Sequence, residues 1–379
     1  MKILLDAFSL TAPKSGIGYY TYYLLHALKK EYPEHDYIYF YGRRFSNEIL
    51  EHPPIVDQLS RSFVRQFLKY PHRIVQPIKE FFFKAGVKKI QPNLYHATNL
   101  ILMPFSGPQV VTSPDMSLLR FPETHPVTRL DFFHRYFTQR LKNAQKIIAI
   151  SEFTKKEMLE LTDVNADKIT VIPLAAPIPD VNSISAEAVL KLRQKYNLSN
   201  DFFLYLGNIE PRKNIEVILD AFSIFVNKNK LSKISLVLVG SKAWLSDYII
   251  KKIEKLNLKN RVIMPGYVPH EEVATWYKAA QTFFYPSKYE GFGLPVLEAM
   301  SIGTPVICSN SSSLPEVVGN AARLLEPNDV NAWAASMIEV ADSKQLREQL
   351  STAGLIRNQQ FSWSKCAKQT MQVYQEILS

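Results

Sequence analysis

The chain has 379 residues, 46% of them hydrophobic and 21% charged, and its 45 Lys and Arg outnumber 35 Asp and Glu for a net charge of +10. This is the composition of a soluble globular protein, and the length exceeds what one hydrophobic core usually supports, so two domains of about 180 residues are expected. Two scattered cysteines, Cys308 and Cys366, exclude a disulfide framework or a cysteine zinc site, and no apolar run approaches the roughly 18 residues that span a bilayer.

The sequence opens Met1-Lys2-Ile3-Leu4-Leu5-Asp6, which reads directly as a first strand with no charged leader or cleavage site before it. With so few cysteines, a reducing, cytoplasmic location is the expectation. Ser15-Gly16-Ile17-Gly18-Tyr19 follows as a glycine loop, and a helix is expected from about Tyr19 to Lys30. Tyr37 to Tyr41 reads as the next strand. Between Ser60 and Ile90 the chain carries Arg61, Arg65, Lys69, Arg73, Lys79, Lys84, Lys88 and Lys89 against the single acid Glu80, interleaved with Phe63, Phe67, Tyr70, Phe81, Phe82 and Phe83. Basic and aromatic residues on helical segments suit an anionic membrane surface, and a nucleic-acid face would use the same types. A solvated helix pair with its aromatics in the core is the third reading.

Short runs rich in Val, Ile and aromatics then alternate with amphipathic stretches. Strands are predicted at Leu94 to Ala97, Gln109 to Thr112, Lys146 to Ile150 and Ile169 to Pro173, and again at Phe202 to Gly207, Ile234 to Val239, Arg261 to Met264, Thr282 to Tyr285, Pro305 to Ser309 and Ala322 to Leu325. Alternating strand and helix argue for an α/β protein with two parallel, Rossmann-like sheets, whose ligands sit beyond the carboxyl ends of the strands. Pro177, Pro179 and their polar neighbours break both periodicities. The expected domains are therefore 1–178 and 179–361, with a final amphipathic helix, 362–379, started by the N-cap candidate Ser362.

The densest chemistry lies at Lys288-Tyr-Glu-Gly-Phe-Gly-Leu-Pro-Val-Leu-Glu-Ala-Met-Ser301. Pro295 suits the first turn of a helix that Leu297, Glu298, Ala299 and Met300 continue, so the helix should start near Leu294. Gly291 and Gly293 let a ligand approach the main chain, and the N–H groups of Gly293 and Leu294 would face an anion, most naturally a phosphate. Glu290 lies on the loop and Glu298 inside the helix, so one carboxylate can reach a sugar and the other a ribose. Upstream, Arg212 and Lys213 follow a strand on a loop that also holds Asn208 and Glu210. Two adjacent cations there can clamp the oxygens of a departing diphosphate.

The block Glu-Gly-Phe-Gly-Leu-Pro-x-Leu-Glu-Ala resembles family 4 of the retaining GT-B glycosyltransferases. Gly207-Asn-Ile-Glu-Pro-Arg-Lys-Asn214, Ile150-Ser-Glu-Phe-Thr154 and Lys168-Ile-Thr-Val-Ile-Pro173 match in the same order. The resemblance implies a GT-B fold, two Rossmann-like domains facing across a cleft with the last helix crossing back to the first. It also implies a nucleotide-sugar donor without metal or cofactor. Glu290 would touch sugar hydroxyls with the backbone of Gly291, Phe292 and Gly293, Glu298 the ribose, and Tyr267 and Val268 the base. Gly16 and Gly18 would lie against donor phosphates or acceptor. His96 and Asp115 would lie on the acceptor side. One departure stands out, because Ser113-Pro114-Asp115 aligns with the family's Thr-x-His-Asp and puts proline where the histidine belongs.

The expected reaction is transfer of a hexose, with retention, from a UDP- or GDP-sugar to a carbohydrate or lipid-linked acceptor in surface polysaccharide synthesis. Many such enzymes use lipid-linked acceptors, so the resemblance favours an anionic membrane over nucleic acid as the partner of 60–90, with contact at the inner face of the membrane. The competing readings are a sugar-nucleotide epimerase, a donor-binding relative that turns over poorly, and a two-lobed sugar-binding protein.

Overall fold

The computed structural model describes residues 1–12, 16–50, 70, 72–178, 184–241 and 247–379. The chain forms two compact units, Met1–Leu174 with Ser362–Ser379, and Ala175–Phe361. Both are built on parallel sheets buried beneath helices.

In the first unit, the strands are β1 (Lys2–Asp6), β2 (Asp36–Phe40), β3 (Phe45–Ser46), β4 (Leu94–Ala97), β5 (Gln109–Ser113), β6 (Lys146–Ala149) and β7 (Ile169–Val171), in the order β3-β2-β1-β4-β5-β6-β7. β1 pairs in parallel with β2, Ile3 opposite Tyr37, and with β4, Leu4 opposite Tyr95. Strands covered on both faces read as continuous apolar runs, as Ile3-Leu4-Leu5 does. The two-residue β3 is antiparallel and too short to show a period, so the sequence does not announce it. Because the chain leaves β1 in one direction to reach β2 and in the other to reach β4, the β1–β4 boundary is the switch point of this sheet.

Helix α1 (Gly16–Glu31) begins three residues before its expected start and takes in both glycines of the Gly-x-Gly element. Helix α2 (His72–Ile90) buries Phe83 against Phe40 and Tyr95, with ring centroids 5.0 Å apart in each case. Phe81 and Phe82, its neighbours in sequence, point outward. The C-terminal helix, Trp363–Leu378, belongs to this unit, and Ser362 caps it by accepting the Lys365 N–H. Trp363 stacks on Tyr23 at 5.3 Å.

The second unit carries β8 (Phe202–Leu206), β9 (Ser235–Val239), β10 (Val262–Gly266), β11 (Thr282–Tyr285), β12 (Val306–Ser309) and β13 (Arg323–Leu325), all parallel, in the order β10-β9-β8-β11-β12-β13. Phe203 on β8 sits 5.4 Å from Phe225 of helix α3 (Ile215–Lys228) and 5.0 Å from Phe284 on β11. Just past β8 and β9 the backbones of Gly207 and Gly240 approach so closely that a Cβ on Gly240 would lie 1.9 Å from the Gly207 carbonyl oxygen. Only glycine fits there, and that contact fixes the path of the loop carrying Arg212 and Lys213. Among the described residues no helix is long and apolar enough to cross a membrane.

Candidate active site

After β8 the chain makes one turn of 3-10 helix, Pro211–Lys213, and then starts α3. Pro211 pre-sets the turn, and Asn214 ends it in the left-handed conformation at φ 55°, with its side-chain amide donating to the Pro327 carbonyl at 2.7 Å. The turn points Arg212 and Lys213 toward the loop after β11. Lys213 Nζ lies 2.5 Å from Glu290 Oε1 and donates to Tyr285 Oη at 2.7 Å, and that hydroxyl in turn donates to Glu290 Oε1 at 2.8 Å. Arg212 donates to the Tyr289 carbonyl at 2.8 Å and approaches Glu210 at 2.8 Å and Glu290 at 3.7 Å. Two cations and two carboxylates therefore form one buried network at the carboxyl ends of β8 and β11.

Burial by itself would raise the Glu290 carboxyl, but Lys213 and then Arg212 outweigh it and hold the group down at about 2. Burial, with Arg212 beside it, lowers the Lys213 ammonium from its ordinary value, against the pull of Glu290 and Glu210. Glu290 is thus a fixed anion, with Oε1 taken by Lys213 and Tyr285 and Oε2 facing Arg212 at 3.7 Å, and a carboxylate can accept further hydrogen bonds from sugar hydroxyls.

The loop after β11 is held by serines. The Glu290 N–H donates to Ser312 Oγ at 2.9 Å, and Ser313 Oγ is shared between the carbonyls of Glu290 at 2.9 Å and Phe292 at 2.8 Å. Gly293 then adopts φ 107°, where a Cβ would also lie 2.7 Å from Leu314 Cδ2. Helix α4 (Leu294–Ser301) starts immediately after it, where the local reading placed it. Pro295 has no N–H, and the N–H groups of Val296 and Leu297 turn back to the Gly293 carbonyl at 3.2 and 3.4 Å, so the N–H groups of Gly293 and Leu294 are the ones at the positive end of the helix dipole that could meet a ligand. Phe292 and Leu294 are buried, so each offers a ligand mainly its main chain.

Glu298 lies on the buried face of α4 and accepts a hydrogen bond from Tyr277 Oη at 2.9 Å. Among the described residues no cation acts on it, and burial raises its carboxyl to about 7 despite that hydrogen bond. Tyr267, past β10, is 68% exposed, whereas the Val268 side chain is buried, leaving its main chain for any contact. Asn208 is exposed, and its carbonyl accepts from Tyr205 Oη at 2.9 Å.

The structure corrects two expectations in the first unit. His96 is wholly buried, with Nδ1 2.6 Å from Tyr374 Oη and Nε2 2.8 Å from Thr112 Oγ1, and burial pushes it down to about 3. It is a neutral core residue tying β4 and β5 to the C-terminal helix, with neither nitrogen left for an acceptor. Gly16 and Gly18, expected on a loop, are in the first turn of α1. Ser15 lies outside the described residues. Asp115 does face a cavity of about 190 Å³ in this unit, together with Pro114, Ile17 and Asp6.

Sequence reasoning missed Tyr285 and Tyr277, the hydroxyls bound to the two glutamates. A tyrosine at a strand end or on a helix reads as core, and nothing local marks these two as partners of a carboxylate.

Residues 14–176 match the family described as "Glycosyltransferase Family 4", and residues 190–357 match "Glycosyl transferases group 1". The O-antigen chain mannosyltransferase B of Escherichia coli is 33% identical over 99% of both chains. The chain belongs to glycosyltransferase family 4. The O-antigen chain mannosyltransferase RfbU of Salmonella typhimurium is 26% identical, over 78% of this chain and 77% of its own. Sucrose-phosphate synthase from Thermosynechococcus elongatus superposes with a TM-score of 0.75 at 23% identity, covering 99% of this chain and 98% of the other. The family 4 chain thus has the GT-B fold, with a Rossmann-like sheet in each unit.

Proposed function

We propose that this glycosyltransferase moves a mannosyl residue, with retention and without a metal, from a UDP- or GDP-sugar to a carbohydrate or lipid-linked acceptor in O-antigen or other surface polysaccharide synthesis. The mannosyl assignment rests on what the E. coli and S. typhimurium relatives are named for. The mechanism rests on one observation, the buried network of Arg212, Lys213 and Glu290 beside the N-terminus of α4.

In that reading the diphosphate sits before α4. Arg212 and Lys213 stabilise the charge that grows on it as the C1–O bond breaks, the work a divalent ion would otherwise do. Glu290 accepts sugar hydroxyls, the main chain of Gly291, Phe292 and Gly293 lines the sugar and phosphate, and Glu298 accepts the ribose hydroxyls. Tyr267, Val268 and Asn208 border the nucleotide. The acceptor hydroxyl attacks C1 on the face the phosphate leaves, and its proton passes to the departing phosphate oxygen. Gly16, Gly18 and Asp115 belong to the first unit's share of the ligands.

Peripheral contact with an anionic membrane is part of this reading. On α2, Ile74 (52% exposed), Ile78, Phe81 (70% exposed) and Phe82 recur every three to four residues and form one outward stripe. Lys84, Lys88 and Lys89 lie on the same helix, and its one acid, Glu80, is paired with Arg140. An apolar stripe edged by lysines complements a surface of anionic lipid. Residues 60–69 of the same basic segment lie outside the described residues.

A thermal-shift screen of UDP-, GDP- and ADP-sugars with chelator tests the donor, since a ligand bound by the folded state raises stability. Glu290→Gln should lose transfer by about 10²–10³-fold with nucleotide affinity nearly unchanged, and Arg212→Ala should weaken both. Full activity in either variant contradicts the assignment. Conversion of the donor without acceptor favours an epimerase instead. Sedimentation with phosphatidylglycerol vesicles should be lost in Phe81→Ser/Phe82→Ser and weakened by salt; equal pelleting of the variant removes the membrane contact.

A further inference from the structure

Glu298 lies about one turn beyond the first residue of α4, next to the helix His270–Ala279. Two side-chain hydrogen bonds join these helices. Thr304, just past the end of α4, donates its hydroxyl to the Tyr277 carbonyl at 2.8 Å, and the Tyr277 hydroxyl donates to Glu298 Oε2 at 2.9 Å. The Thr304 N–H returns to the Ala299 carbonyl at 2.9 Å, so the tie begins and ends on α4. The Tyr277 ring is wholly buried and meets Phe283 of β11 edge-on, with centroids 5.1 Å apart and planes at 82°. Backbone, ring and hydroxyl are each held, so the tyrosine presents its O–H from a fixed point.

These contacts make the two carboxyl oxygens of Glu298 unequal. Oε2 is engaged inward by Tyr277, whereas Oε1 has no hydrogen-bond partner among the described residues and is not sealed from solvent. Burial, with Glu298 beside it, pushes the Tyr277 phenol well above its ordinary value, so the hydroxyl keeps its proton and donates. That hydrogen bond favours the ionised carboxyl against burial. An ionised carboxyl with one oxygen anchored accepts through the other. Without Tyr277 the group could turn about its last bond and would more readily hold a proton, and a protonated oxygen donates where a hydroxyl needs an acceptor.

We propose that Tyr277 is a positioning residue for nucleotide recognition, anchoring Glu298 Oε2 so that Oε1 alone is offered to the ribose hydroxyls of the donor. Thr304 acts one step further back, by holding the tyrosine's backbone. The preference of the site for a ribonucleotide is then set by a residue that touches no ligand. A sugar lacking those hydroxyls leaves a buried, oriented acceptor unmet. The proposal rests on the reading of Glu298 as the group that accepts ribose hydroxyls, and adds to it how the fold selects the oxygen that does so.

The test is isothermal titration of the full chain with UDP and GDP and with their 2′,3′-dideoxy counterparts. The parent should bind the better of the two ribonucleotides roughly ten- to a hundredfold more tightly than its dideoxy form, the loss expected when a charged acceptor is left unmet. Tyr277→Phe keeps the ring and removes only the hydroxyl; it should lower that ratio about tenfold while the dideoxy form binds as in the parent. In a Glu298→Gln background the same change should lower the ratio no further, because Tyr277 acts through Glu298. Thr304→Val removes the backbone anchor, should lower the ratio severalfold, and supplies the answer if Tyr277→Phe does not fold. A parental ratio in Tyr277→Phe, even with both nucleotides weakened alike, overturns the proposal, as does a parental ratio in Thr304→Val where the first variant is unfolded, or a further loss on top of Glu298→Gln. A parent protein that binds ribo and dideoxy forms equally would instead defeat the ribose reading of Glu298, and one that binds neither UDP nor GDP the transferase reading; the proposal falls with either.

Discussion

The two sheets end in opposite ways. Past β8 and β11 in the second unit, the polar groups are paired with one another: Lys213 with Glu290 and Tyr285, Arg212 with Glu210 and the Tyr289 carbonyl. Past β1 and β4 in the first unit, the corresponding ends leave a void, with Asp6 and Asn99 on its wall. In the proposed reading the second unit holds a diphosphate, which is the same in every turnover, so fixed charges can be set for it in advance and need no reorganisation when the bond breaks. A sugar acceptor is recognised by where its hydroxyls lie, which calls for a shaped space. The same contrast operates within the second unit. Glu290 and Glu298 are each 7% exposed, yet one is held near 2 and the other lifted to about 7. A cation at 2.5 Å outweighs burial, whereas one tyrosine hydroxyl does not.

The sharpest way to break this contrast is to remove one member of the charged network. Lys213→Ala leaves Glu290 buried beside a lost partner and should cost about 3–5 kcal/mol of stability, read as a drop in denaturation midpoint. Adding Glu290→Gln should recover part of that loss. A single-variant change below about 1 kcal/mol would show that water reaches the pair.

Next in size is the pH response of Glu298. Its folded pKa is raised from 4.5 to about 7, so its contribution to stability is fully present below 4.5 and disappears as the pH rises through 7. That is about 3 kcal/mol at roughly 1.4 kcal/mol per unit. Glu298→Gln should therefore flatten the stability profile between pH 5 and 8, and an unchanged slope would mean another group titrates there. Glu290 behaves oppositely, its contribution being present above 4.5 and lost as the pH falls through about 2. The smallest effect is expected at the hinge between loop and helix. Gly293→Ala meets both a left-handed φ and the Leu314 methyl, and should cost about 1–2 kcal/mol with a further loss of nucleotide affinity.

The second unit's site was legible because its logic is local. Pro295 after Gly293 announces a helix start, and Arg212-Lys213 after an apolar run announces cations at a strand end; neither requires knowledge of what lies across the sheet. The first unit was less legible. His96 looked like a ligand, and it is a core residue because Tyr374, 278 residues later, closes over it. Asp6 read as one residue of the first strand, since its cavity is assembled from segments more than a hundred residues apart in the chain. Three consecutive phenylalanines, Phe81 to Phe83, are equally hydrophobic, and only the rotation of α2 sends the third inward and leaves the first two outside.

By itself the sequence determined the alternation of strand and helix, the division into two units, and the loop and helix that carry Glu290 and Glu298. Periodicity, glycine and proline act over a few residues, so they can be read from a single stretch of chain. Which carboxyl is held low and which is raised, which histidine is buried and where the first unit's cavity lies were decided only by the tertiary structure. Burial and charge pairing depend on side chains that folding brings together from distant positions.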